Sequence, residues 1–174
     1  LTALTAPLRS RQPPQLISVS LGLCEPAVFK AVGLAGFETA EGALEMATAS
    51  GVTLLAASGD QGSADCTQAD GSPARLRAVN FPASSWWVTG VGGTNLVLDG
   101  ANRIRSQVVW NDAAAQPGAA GGGGVSALFA RPNYQTGTNP RRHRSVPDVA
   151  MLADIAPGYA IYCSARGDCI DPSN

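Results

Sequence analysis

At 174 residues and 45% hydrophobic content, the chain suits one domain able to bury roughly 70% of its unfolded surface. Twelve basic and 13 acidic residues leave a formal charge of -1, which argues against nucleic acid or an anionic membrane as partner. No apolar run approaches the roughly 20 residues needed to span a bilayer.

The opening residues, Leu1 to Pro14, have neither the basic nor the apolar region of a signal peptide. There is no initiating Met, so the chain is expected to start after processing or truncation, and secretion stays open. Cys24, Cys66, Cys163 and Cys169 are too widely separated for the paired spacing of a structural zinc site, and His143 is the single histidine. No metal site is expected. An even cysteine count suits disulfides in an oxidising compartment, with connectivity open.

Residues 1–14, rich in Pro, Arg and Thr, read as an irregular lead-in. Gln15 to Leu21 alternates as a strand that Gly22 stops, and Cys24-Glu25-Pro26 opens a loop. Phe37, Ala40, Leu44 and Ala47 then recur at helical spacing, with Glu38, Glu41 and Glu45 on a solvated face and Gly51 as a stop. Val52 to Ser58 reads as a second strand, making residues 15–58 a β-α-β unit with parallel strands. Both strands then end on one rim, where open α/β sheets bind ligands. Asp60, in the turn Ser58-Gly59-Asp60-Gln61-Gly62, is the leading candidate for chemistry.

Downstream, Phe81 to Thr94 suggests a turn and a short buried strand, and Asn95–Leu98 with Ile104–Trp110 a hairpin around Asp99-Gly100. The glycine-rich stretch from Gly118 to Gly124 is either a mobile linker or backbone passing close to something. Arg141-Arg142-His143-Arg144 reads as a solvated loop, with contact to an acidic partner as the alternative. Asp148–Ala153 and Gly158–Cys163 are further strands.

Several tempting motifs fail on context. Gly90-Val91-Gly92-Gly93-Thr94-Asn95 precedes a strand where a phosphate-binding helix would be needed. Gly124-Val125-Ser126-Ala127-Leu128 lacks the final glycine of a nucleophile elbow, and one histidine among arginines gives little support to a Ser-His-Asp triad.

A series of segments stands out for its joint order: Ile17-Ser18-Val19-Ser20-Leu21-Gly22 with Glu25, Gly51 to Asp60, Phe81-Pro82-Ala83-Ser84-Ser85 and Val88-Thr89, followed by Val91-Gly92-Gly93-Thr94. Trp110-Asn111, the glycine run through Ser126, Val146-Pro147-Asp148-Val149-Ala150 and Gly158 to Tyr162 complete the series. In this order they resemble the sedolisin family of serine-carboxyl peptidases. The resemblance implies an α/β, partly complete subtilisin-like domain over 15–174: a mostly parallel sheet flanked by helices, with peripheral β-hairpins.

It further implies that Asp60 forms the oxyanion hole, where a neutral carboxyl donates a hydrogen bond that a carboxylate could not. Ser20, Leu21 and Gly22, with Ser58 and Gly59, would bind an extended peptide or unfolded protein substrate. Cys24 and Cys66 follow strands ending on the same rim, so a disulfide between them is expected, and Cys163–Cys169 would close a local loop.

The family's Glu/Asp pair would precede residue 1, and its nucleophilic Ser and calcium site would follow Asn174. No cofactor is therefore expected in these residues. The chain alone is expected to be inactive, with the remainder of its own catalytic domain as partner in an extracellular or other acidic, oxidising setting. The alternatives are a non-catalytic peptide-binding module and a subtilisin-type peptidase, which would carry Asn at position 60.

Overall fold

The computed structural model describes residues 6–66, 76–115 and 119–159. A 3-10 turn, Pro7–Arg9, precedes β1 (Leu16–Val19), and β2 (Leu23–Cys24) leads into α1 (Glu25–Ala49). Next come β3 (Thr53–Ala57), β4 (Asn80–Phe81), β5 (Thr89–Leu98) and β6 (Ile104–Val109). The series ends with β7 (Gly124–Ala130), a 3-10 turn at Asn133–Gln135, β8 (His143–Val146) and β9 (Val149–Leu152).

β1 and β3 pair in parallel, Leu16 opposite Thr53 through Val19 opposite Ala56, as the β-α-β reading requires. β3 pairs in parallel with the start of β5. Because Val91 of β5 is opposite both Ala57 and Val149, β9 lies along the other edge of β5, again in parallel. β6 folds back antiparallel on β5, Thr94 opposite Val109, so the expected hairpin around Asp99-Gly100 is present. Its first arm and the expected short strand are one continuous ten-residue strand. The β2–β4 and β7–β8 pairs stand apart as two small antiparallel ribbons. The fold is thus α/β, with a mostly parallel sheet.

Four expectations are corrected. The helix begins at Glu25, directly after β2, instead of after a loop, and bends at Gly33, where φ is 66°. Pro26 suits a first helical turn because no intrahelical partner is lost there, so the residue that signalled a loop belongs to the helix. Arg144, expected in a solvated loop, is wholly buried in β8. Glu41 is half-buried and not on a fully solvated face. Of the expected strand at 158–163, Gly158 and Tyr159 are not extended strand, and the rest lies outside the described residues.

The main core joins α1 to the sheet through Leu44, Ala47, Val52, Leu54, Ala56, Val79, Val88 and Val146. A second cluster gathers at the front of α1. There the Phe37 ring centroid lies 5.1 Å from those of Phe29 and Phe81 and 5.8 Å from that of Phe129. Tilted aromatic contacts in this range add to simple area burial. Arg144 is the largest fully buried side chain among the described residues. Its Nη1 donates to Asp148 Oδ1 (2.9 Å) and Tyr134 Oη (2.6 Å). Nη2 donates to Asp148 Oδ2 (2.6 Å), Val88 O (2.9 Å) and Ala83 O (3.1 Å).

Candidate active site

Parallel pairing carries β1 and β3 to the same rim, and the residues just past each strand form the site. Beyond β1, Ser20, Leu21 and Gly22 are exposed, Leu21 at 81%. Beyond β3 the chain turns at Gly59, whose φ of 119° favours glycine. Asp60 is exposed on that turn.

Two clefts meet here. One, of 260 Å³, lies between Ser20–Cys24 on one side and Gly59, Asp60, Gln61 and Asp65 on the other. The second, of 240 Å³, is bounded by Ser20, Asp60, Gly92, Trp110 and Met151. Ser20, Ala57, Gly59 and Asp60 border both, so they form a saddle between two hollows. A larger cavity of 710 Å³ lies elsewhere, lined by residues including Trp86, Tyr134, Asn139 and Arg141. It shares no residue with the saddle, and the one carboxylate on it, Asp148, is engaged by Arg144. The chemistry favours the smaller clefts.

Ser58, grouped with the substrate-binding residues, is fully buried. Its N–H donates to Val91 O (2.9 Å) and its hydroxyl to Gly122 O (2.7 Å). Ser58 therefore ties the turn to its neighbours. From Ala119 to Gly124 the glycine run is closely packed backbone and not a mobile linker, while Gly118 lies outside the described residues. Ala120 N donates to Asp60 O (2.8 Å), Gly122 N to Gly59 O (2.7 Å), and Gly62 N to Ala120 O (3.0 Å). A Cβ on Gly122 would collide with Ser58 O and with the Asp65 carboxyl, which excludes any larger residue from this approach.

Cys24 and Cys66 form the expected disulfide, with a Cα–Cα distance of 5.2 Å. It joins the segment after Ser20–Gly22 to the segment after Asp60, and so links the two walls of the 260 Å³ cleft. Cys163 and Cys169 lie outside the described residues. No group of three or more metal-ligating side chains occurs among the described residues.

Sequence reasoning left two participants unassigned. Asp65, only 9% exposed, lies beneath the turn, and its Oδ1 accepts from Gln61 N at 2.9 Å. Burial pushes its carboxyl up to about 6; hydrogen bonds from the Gln61 and Asp60 backbones oppose the shift, and Asp60's charge adds to it. The signal was its position beside Cys66, which the expected disulfide already drew to this rim. Glu25, 1% exposed at the start of α1, accepts from Ser126 Oγ (2.5 Å) and Ala127 N (2.8 Å). Ser126 thus serves as a brace between α1 and β7, in keeping with the rejection of a nucleophile elbow.

No protein-family model matches the chain. It is 41% identical over 160 residues to kumamolisin of Bacillus sp. (strain MN-32), an alignment covering 85% of this chain and 26% of kumamolisin. It is 34% identical over 153 residues to sedolisin of Pseudomonas sp. (strain 101), covering 85% of this chain and 25% of that protein. Bovine tripeptidyl-peptidase 1 is 37% identical over 127 residues, covering 64% of this chain and 20% of the relative. The chain thus spans about a quarter or less of the length of these relatives. A solved structure of Pseudomonas sedolisin, a serine-carboxyl proteinase complexed with two molecules of pseudo-iodotyrostatin, superposes with a TM-score of 0.69 at 31% identity. That match covers 81% of this chain and 38% of the sedolisin chain. Shared sequence and shared fold agree, and the chain belongs to the sedolisin family.

Proposed function

We propose that residues 15–174 are the central portion of the catalytic domain of a serine-type acid endopeptidase, with 1–14 as a lead-in. The observation that carries this reading is the convergence of Ser20–Gly22 and Ser58–Asp60 on one rim, with a cleft on either side of the saddle they form.

An extended substrate laid along Ser20–Gly22 would gain main-chain hydrogen bonds, as a strand does at a sheet edge. Its side chains would fall alternately to the two sides, and the saddle offers a hollow on each. When a serine attacks the scissile carbonyl, negative charge develops on the carbonyl oxygen. A neutral Asp60 carboxyl donates a hydrogen bond to that oxygen, whereas an ionised one repels it, so the reaction belongs in acid. Ser58 and Gly59 serve by fixing the turn that presents Asp60. The attacking serine and the carboxyl pair that takes its proton are supplied by the remainder of the domain, as is the calcium site that the resemblance implies. An extracellular or other acidic, oxidising compartment suits the Cys24–Cys66 disulfide.

In the intact peptidase, Asp60→Ala should lower kcat by about 10² to 10³. Unchanged kcat would remove Asp60 from the mechanism. The 174-residue chain alone, incubated with an unfolded protein at about pH 4, where carboxyl groups are partly protonated, should release no peptides. Turnover there would overturn the assignment of the missing groups to other segments.

A further inference from the structure

Beneath the saddle, Asp65 is placed where a support for Asp60 would have to be. Asp65 is more than nine-tenths buried as a residue, with Oδ1 bonded to Gln61 N and Oδ2 buried without a partner among the described residues. It occupies the space that a Cβ on Gly59 or on Gly122 would fill. The turn therefore wraps around this carboxyl from one side and the glycine run covers it from the other. The next residue, Cys66, is fastened to Cys24 on the opposite wall of the cleft. Asp65 thus joins three things that set where the Asp60 carboxyl points: the Gly59–Gln61 backbone, the glycine run and the disulfide.

We propose that Asp65 is a positioning residue for Asp60, holding the 58–62 turn so that the Asp60 carboxyl stands over the cleft. The inference rests on the role given to Asp60 above. Positioning at this level matters because displacements of about 1 Å in a catalytic group can cost about 10² in rate. The protonation of Asp65 fits the same task. An ionised Oδ2 with no donor is costly to bury, and burial pushes the carboxyl up to about 6. Among the described residues, the segments against it are 58–62 and 119–124, whose single titratable side chain is Asp60, and 76–80, bridged to Ala64 through Ala78, whose single charged side chain is the exposed Arg77. In acid Asp65 is accordingly neutral, and asparagine, with an amide oxygen to accept from Gln61 N, is its close mimic.

The test is a double-mutant cycle in the intact peptidase, with kcat and KM measured at about pH 4, where carboxyl groups are partly protonated. Asp65→Ala should lower kcat about tenfold with KM changed less than about twofold, as expected for an interaction realised in the transition state. In the Asp60→Ala background it should cost nothing further, because the residue it positions is gone. Asp65→Asn should restore kcat to within about threefold of the parent, since it keeps the acceptor for Gln61 N. An equal loss from Asp65→Ala in both backgrounds, or a loss confined to KM, would overturn the proposal while leaving Asp60's role intact. If Asp60→Ala itself leaves kcat unchanged, the catalytic reading fails first and the positioning role falls with it. Should Asp65→Ala not fold, the asparagine variant decides: kcat reduced tenfold or more, with an unchanged melting temperature, would also overturn it.

Discussion

Arg144 shows how much one side chain can connect. Its planar fork meets Asp148 through two nitrogens and also reaches the carbonyls of Ala83 and Val88, so it fastens β8 to the turn after β4 and to the entry of β5. Asp148 in turn accepts from Gly90 N at 2.8 Å and from Gln135 Nε2 at 3.1 Å. Replacing Arg144 with Met would take this donor from two buried carbonyls and leave Asp148 with Gly90 N and Gln135 Nε2 but no counter-charge. Breaking a fully buried pair from one side costs about 3–5 kcal/mol; Arg144 is wholly buried but the Asp148 side chain is 16% exposed, so chemical denaturation of Arg144→Met should show a loss toward the lower end of that range. Arg144→Lys should recover only part of it, because an ammonium cannot reproduce the fork. A loss below about 1 kcal/mol, the ceiling typical of surface pairs, would mean the pair contributes no more than an exposed one. The Arg-rich spelling of residues 141–144 hid this role: charge composition describes a solvated loop equally well, and the partner that buries Arg144 is fixed by the turn at Pro147.

Among the elements, the link between the β1 and β3 exits depends on a disulfide closing a separation of 42 residues. In the chain-entropy picture such a loop is worth about 4 kcal/mol. Cys24→Ser with Cys66→Ser should therefore lower the melting temperature measurably, whereas an unchanged melt would show that the ribbon β2–β4 and α1 already hold the two walls. The elements at this rim were legible because each depends on short-range pattern: alternation in β1, helical spacing in the second half of α1, and the Ser-Gly-Asp break after β3. The first half of α1 was not, since Cys24-Glu25-Pro26 read locally as the opening of a loop, while packing of Val28 and Phe37 against Phe129 keeps the helix going through its bend. β7 and β8 were hidden for a different reason. Their pairing joins residues that alternate poorly, and Val125 opposite Ser145 is decided by partners elsewhere in the chain. At the site, Asp60 and its turn were readable, whereas Asp65 became meaningful only through what lies above it.

At the scale of the whole molecule, two raised carboxyls favour acid, while Asp99 and Asp154, lowered by backbone hydrogen bonds, act in the opposite sense. Burial pushes Glu41 up from 4.5 to about 7, with Ser85 opposing the shift and Glu45 adding to it. Burial likewise raises Asp65 from 3.8 to about 6. The folded chain holds these two protons over a range where the unfolded chain releases them, so the contribution of Glu41 and Asp65 to stability is greatest below their unfolded values. It falls as pH rises through about 4 to 7 and levels off above the folded values. Glu41→Gln should therefore raise the melting temperature above pH 7 and leave it nearly unchanged at pH 4. A uniform shift at both pH values would assign the effect to packing instead. The glycine run has a consequence for how the chain folds. Ala120 and Gly122 bond to Asp60 and Gly59, residues about sixty positions earlier, so closing this contact requires a long loop to be restrained first. Glycine also surrenders more backbone freedom on ordering than any other residue. The rim that carries Asp60 is accordingly expected to take its final shape late, after α1 and the parallel strands have joined.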